Sequence, residues 1–243
     1  MKKFTFCILL ATMSWFATTN AYAKKNSGPT PEEKGLAQIN QANAEAFVRF
    51  LAADELKGRE AGTEEGRIAG NYIASLLQQW GVSPVFDSYF QPFEAYRVER
   101  QKKGKLQVHP DSIQLIKQGS TSKNITCAMY LQKIDGKNKD EIVIIGAHYD
   151  HIGYDPMLDG DQIYNGADDN ASGVSAVLQI VRSFLATGKQ PERTVIFAFW
   201  DGEEKGLLGS KYFAQTFPQI KQVKGYLNFD MIGRIMMSHV PGM

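Results

Sequence analysis

Four segments of this chain end an apolar run, or begin an apolar helix, with side chains able to hold a cation. "EIVIIGAH" stops at His148, "FAFWDGEE" at Glu203 and Glu204, and "YLNFD" at Asp230, while "GADDNASG" sets Asp168 and Asp169 at the mouth of an apolar helix. Adjacent carboxylates repel and are costly to strip of water, so gathering them inside a domain requires positive charge. Imidazole and carboxylate without cysteine is donor chemistry for zinc, cobalt or manganese rather than for a structural thiolate site. Each group alone has a plainer use. An aspartate at a helix start caps it, "DGEE" is a turn with two solvated acids, and a strand-end histidine makes one hydrogen bond. Their occurrence in chain order at strand ends and a helix start favours a metal centre.

The elements that must position these residues are legible from periodicity. "EIVIIGAH" and "RTVIFAFW" are continuously apolar, as in strands buried on both faces. Between them "ASGVSAVLQIVRSFLATG" carries Val174, Val177, Leu178, Val181, Phe184 and Leu185 on one helical face. "GLLGSKYFAQTF" reads as a short helix and "GYLNFD" as a further strand. Earlier, "NQANAEAFVRFLAADEL" reads as a helix. Thr63 caps a second, with Ile68, Tyr72, Ile73, Leu76, Leu77 and Trp80 at helical spacing and Gly81 at its end. "VFDSYFQPF", "KLQV" and "ITCAMYLQ" read as strands that add an antiparallel flank. The expectation is an α/β fold: a mixed, centrally parallel sheet flanked by helices on both faces, with ligands at the carboxyl ends of its strands.

Composition narrows the function classes. The 243 residues include 27 Lys and Arg against 26 Asp and Glu. "MKKFTFCILLATMSWFATTNAYA" combines two lysines, a short apolar run and Ala21-Tyr22-Ala23, so residues 1–23 read as a signal peptide. Without Lys2 and Lys3 the chain carries 25 basic and 26 acidic residues, a balance that calls for neither nucleic acid nor an anionic membrane. The apolar run is too short for a stable membrane anchor. The reading is an exported protein, periplasmic or secreted, with a flexible leader at 24–39 and one domain over 40–243. Asp155, Asp159 and Asp161 in "YDPMLDGDQ" lack the spacing and terminal glutamate of an EF-hand, and read as a solvated loop.

"GAHYDHIG", "NGADDNASG", "WDGEEKGLLGS" and "NFDMIGR" resemble the four ordered motifs of the secreted di-zinc aminopeptidases, metallopeptidase family 28. "LKGREAGTEEGRIAGNYIASLLQQWG" and "FDSYFQPF" are similar to the amino-terminal region of that family. The resemblance implies a zinc-exopeptidase (phosphorylase/hydrolase-like) fold and two Zn2+ ions. It also implies peptides with a free N-terminus as substrates. By matching motif positions, His148 and Asp230 would bind one metal, Glu204 the other, and Asp169 both. Glu203 would be the general base, and Asp150 would orient the His148 ring. Asp168 falls to a helix-entry role, and His151 matches no ligand position.

The resemblance further implies a histidine ligand well downstream of Asp230. Against it, a chain stopping at Met243 is expected to be incomplete at its C-terminus and to have only Asp169 and Glu204 for the second metal, so that it is weakly active or inactive. His239 is close enough along the chain to reach the site in principle. Two alternatives share the motif set. One is a carboxypeptidase or glutaminyl-cyclase-like relative, and the other is a non-catalytic scaffold remnant of the same fold.

Overall fold

The computed structural model describes residues 28–99, 111–115 and 125–234. The signal-peptide reading of 1–23, "KLQV" and His239 lie outside the described residues. Five α-helices are described: α1 (Pro31–Leu36), α2 (Gln41–Leu51), α3 (Glu64–Gln79), α4 (Gly173–Thr187) and α5 (Leu208–Thr216). The described strands are β1 (Ser83–Pro84), β2 (Gln91–Glu99), β3 (Asp111–Leu115), β4 (Ile125–Ile134), β5 (Asn138–His148), β6 (Arg193–Trp200) and β7 (Val223–Asn228). They form one sheet in the order β3-β2-β4-β6-β5-β7, with β1 paired to β4. β5 runs parallel to both β6 and β7, while β4 joins β6 antiparallel and so begins the antiparallel flank. The sheet is mixed with a parallel centre, as the sequence pattern implies.

Alternation along the strands divides the core into two layers. Tyr130 of β4, Ile145 and Ala147 of β5, and Val195, Phe197 and Phe199 of β6 pack with α2, α3 and α4. The intervening Met129, Leu131, Ile142, Ile144, Ile196, Ala198 and Trp200 pack with Leu208, Phe213 and Phe217 from the α5 side. Both faces are therefore covered, which is why β5 and β6 read as unbroken apolar runs. On α4 the stripe is buried through Val181, but Leu185 in the last turn is exposed.

Three expectations need correction. Residues 31–36, read as part of a flexible leader, form α1. The Thr30 side chain accepts from the Glu33 amide and the Glu33 carboxylate accepts from the Thr30 amide, with Pro31 at the first turn. Gly35 lets this helix sit tightly on α4, since a Cβ there would lie 3.0 Å from Ser183 Oγ. The helix read over 40–56 ends at Leu51. Beyond it Asp54–Arg59 forms a tight turn in which Lys57 and Gly58 take positive φ. Lastly, "VFDSYFQPF" becomes strand only from Gln91. No helix of the described residues is long and apolar enough to cross a membrane.

Candidate metal centre

β5 delivers the first group. His148 closes the strand with only 2 % of its surface exposed, and Asp150 behind it is fully buried. The His148 Nδ1 faces the Asp150 backbone oxygen at 3.1 Å and the Asp150 carboxylate at 3.6 Å. The Asp150 carboxylate also accepts from the Glu203 amide at 3.1 Å and the Glu204 amide at 3.3 Å. One buried side chain thus backs His148 and fixes the turn that carries both glutamates. The opposite ring nitrogen, Nε2, faces Asp169 Oδ1 at 3.2 Å, Asp230 Oδ1 at 3.6 Å and Glu203 Oε2 at 3.9 Å.

β6 delivers the second group through a compact turn after Trp200. The amides of Gly206 and Leu207 donate to the Glu203 carbonyl, and that of Gly209 to the Asp201 carbonyl. Asp201 is itself buried and accepts from the Ala128 and Gly202 amides, both at 2.9 Å. Burial, then the charge of Asp150, pushes its carboxyl up to about 8. Glu204 turns toward His151, whose Nδ1 lies 2.7 Å from Glu204 Oε1. Behind it Lys205 pairs with Glu60 at 3.0 Å.

The third group enters on the wide helical turn Ala167–Ser172 that leads into α4. Here the neighbouring aspartates separate in use. Asp169 turns its carboxylate to His148, whereas Asp168 Oδ1 accepts the Gly233 amide at 2.8 Å. Asn170 is fully buried. Its Nδ2 donates to the Phe229 carbonyl at 2.9 Å, and its Oδ1 accepts from the amides of Gly173 and Met231. These bonds set Asp230, just past β7, across from His148.

Ligand-capable atoms of three trios lie within 4.8 Å of one another: His148–Asp169–Asp230, His151–Asp169–Glu204 and His148–Glu203–Glu204. The structure thus brings together all six residues singled out for chemistry: His148, Asp150, Asp169, Glu203, Glu204 and Asp230. It also brings in His151, to which no role was given. Electrostatics among the protein groups alone reflects this crowding. Burial pulls His148 down, but the hydrogen bond and charge of Asp150, with Glu203 and Asp230, outweigh it and raise His148 to about 9. Burial, with repulsion from Glu204, raises Asp169, although His148 and His151 oppose the shift. Burial also raises Glu203, opposed by His148 and helped by Asp150 and Glu204. For Glu204 burial acts upward, yet the hydrogen bond and charge of His151 hold the group below its ordinary value.

Sequence reasoning also passed over Arg59. Its side chain is fully buried, and among the described residues no carboxylate forms an ion pair with it. Instead all five donors go to backbone carbonyls: Nε to Tyr149, Nη1 to Leu51 and Asn165, and Nη2 to Gly166 and Asp169. Burial lowers its pKa to about 10, with Asp150, Asp169 and Glu204 opposing, so it stays charged at neutral pH. It is a fixed cation behind the acidic cluster that ties the loop after β5 to the turn before α4.

Residues 130–238 match the family model described as peptidase family M28. The segment that carries His148, Asp169, Glu203, Glu204 and Asp230 is thus similar to peptidase family M28. An aminopeptidase of Pseudomonas aeruginosa is 38 % identical over 98 residues, 40 % of this chain and 16 % of that protein. The chain spans only between 16 and 45 % of the length of the curated relatives it matches. The fold is that of BSAP, a zinc aminopeptidase from Bacillus subtilis, with a TM-score of 0.58 at 17 % identity over 79 % of this chain and 69 % of that one. It is also that of a glutaminyl cyclase from Bacteroides thetaiotaomicron, with a TM-score of 0.54 at 22 % identity over 81 % and 63 %. Zinc fits this donor set. Two imidazoles and four carboxylates converge, and burial and mutual repulsion press Asp169 and Glu203 toward protonation unless a cation offsets them.

Proposed function

We propose that this chain is an exported, zinc-dependent aminopeptidase that releases N-terminal residues from peptides. The observation that carries the reading is the position of Asp169, whose carboxylate belongs to the trios of both His148 and His151. A carboxylate shared in this way suits two cations held close together. His148, Asp169 and Asp230 would hold one zinc, and Glu204 with Asp169 the other. Bound zinc would supply the Lewis acidity that polarises a scissile carbonyl and activates water.

The protein groups then divide the remaining work. Glu203 lies beside this centre, 3.9 Å from His148 Nε2, with about a third of its side chain exposed. Its raised proton affinity suits a general base that takes a proton from water and returns it to the leaving amine. Asp150 fixes both glutamate amides and backs His148, the arrangement by which a ligand imidazole is oriented. A free α-amine of the substrate would be met by the surplus of carboxylates.

The test is Glu203→Gln in the zinc-loaded chain, assayed on aminoacyl-anilides, N-blocked peptides and N-terminal glutaminyl peptides. The expected result is unchanged zinc content, at least about 100-fold slower turnover, and cleavage by the parent chain confined to free N-termini. Normal hydrolysis by E203Q would remove Glu203 as base, and cyclisation without hydrolysis would move the chain to the cyclase-like reading. Export is tested by mass spectrometry of the protein made by a secreting host, with a mature start at Lys24 expected.

A further inference from the structure

We propose that Glu60 keeps the cation centre open by capturing the ammonium of Lys205, an internal cation that would otherwise compete for the same carboxylates. This deepens the zinc reading above and rests on it. Lys205 follows Glu203 and Glu204 directly, on the turn that the Gly206 and Leu207 amides close upon the Glu203 carbonyl. Its stem is flexible and its ammonium carries three donors. Beside that turn gather the carboxylates of Asp169, Glu203, Glu204 and Asp230, a natural destination for a positive charge. The side chain turns instead to Glu60. Its Nζ lies 3.0 Å from Glu60 Oε1, with only 7 % of the Lys205 and 17 % of the Glu60 side chain exposed.

Glu60 is fixed for this task by its surroundings. Its carbonyl accepts from the Thr63 amide at 3.1 Å and the Thr63 hydroxyl at 2.6 Å, at the start of α3. Its backbone also forms an isolated parallel bridge with His151. The bare Cα of Gly153 leaves room for the carboxylate, since a Cβ there would lie 3.0 Å from Glu60 Oε2. Glu60 belongs to none of the three ligand-capable trios, so an ammonium held on it is kept out of them. The separation is short all the same. Burial raises Glu204, while His151, His148 and then Lys205 lower it, so the ammonium already acts on the cluster. An enclosed charge stripped of its partner is strongly unfavourable. Loss of Glu60 would therefore send Lys205 toward the acids of the centre.

The experiment is zinc titration of the full chain and of E60A, E60Q, K205M and E60A/K205M, after chelator dialysis and against a competing chelator. Denaturant unfolding checks that each variant folds. An ammonium seated in the centre about nine-tenths of the time raises the apparent Kd about tenfold. The expected result is zinc binding weakened by about that factor in E60A, and by less in E60Q, whose amide can still accept from Lys205. K205M should bind within about twofold of the parent. E60A/K205M decides the matter: with the competitor gone, it should also return to within about twofold of the parent. A pair that only braces the turn predicts the reverse. K205M would then be as weak as E60A and the double variant no better, and the inference is overturned. Parent-like binding by E60A overturns it too. If E60A does not fold, E60Q and E60Q/K205M carry the same comparison, with the same loss and recovery required. No zinc in the parent chain overturns the zinc reading itself, and this inference with it.

Discussion

The two flanks of the site are built differently. On the β5–β6 flank the chemistry-bearing residues are held from behind by buried polar groups: Asp150 beneath the two glutamates, Asp201 bridging to β4, and Arg59 across five carbonyls. On the β7 flank, Asp230 is held from the side by the polar side chains of the Asp168–Ser172 turn, and 39 % of it is exposed. Tyr226, Leu227, Met231 and Ile232 around it are exposed as well. One flank is preorganised by satisfied buried charge. The other is fastened by a few hydrogen bonds, open to water except around the buried Asn170, so a cation shared by both would tie the looser flank to the firmer one.

Arg59→Met should break the firm flank and give the largest effect. It removes all five hydrogen bonds to carbonyls, two of them buried and three partly buried, and a hydrogen bond to a charged group is worth about 1.5–3 kcal/mol. A loss of about 5 kcal/mol or more follows, enough to unfold a marginally stable domain. Arg59→Lys, with three donors and no planar fork, should recover part of it. Denaturant unfolding reads both, and an R59M midpoint equal to the parent's would show the buried cation to be dispensable.

Adding zinc should strengthen the loose flank. Ligand at about 100 times its dissociation constant stabilises a fold by about 2.7 kcal/mol. Thermal unfolding should shift up accordingly. Amide exchange should slow most at Phe229–Gly233, where the backbone joins Asp230 to the Asp168–Ser172 turn. Equal slowing throughout β4–β6 would mean that the flanks do not differ in the way described. Asn170→Ala tests the same stitching from within. It removes the bonds to Phe229, Gly173 and Met231, a loss of about 2 kcal/mol on the scale of about 0.5–1.5 per bond with some orphaned groups. Exchange should quicken at 229–233 and stay unchanged in β5 and β6.

The same contrast explains what the sequence could show. β5, β6 and α4 were legible because burial on both faces writes itself as apolar runs and stripes, and their ends pointed to His148, Asp169, Glu203, Glu204 and Asp230. α1 was legible in principle from Thr30-Pro31-Glu32-Glu33, a capping box with proline at the helix start. Arg59 was not, because its partners are carbonyls, which every residue carries. His151 was hidden for a related reason: its direction depends on where the chain leaves the sheet and on the ring seat at Gly166. Backbone geometry, not residue type, decides both.

The smallest effect belongs to Asp168→Ala, and it tests the division of labour between adjacent acids. Asp168 belongs to none of the three ligand-capable trios, and its Oδ1 serves the Gly233 amide at 2.8 Å. Ser172 reinforces that link, donating to the Asp168 carbonyl at 2.7 Å and accepting from Ile232 at 3.1 Å. Removing the carboxylate should therefore cost about 1 kcal/mol, the usual net worth of one partly exposed hydrogen bond. Exchange should quicken only near Gly233, and the number of zinc ions bound should not change. Asp169→Ala, one residue on, removes the carboxylate common to both trios and should lower the count. If D168A also lost an ion, the two acids would act as one charge reservoir, and the loose flank would owe its place to electrostatics rather than to the stitching of its backbone.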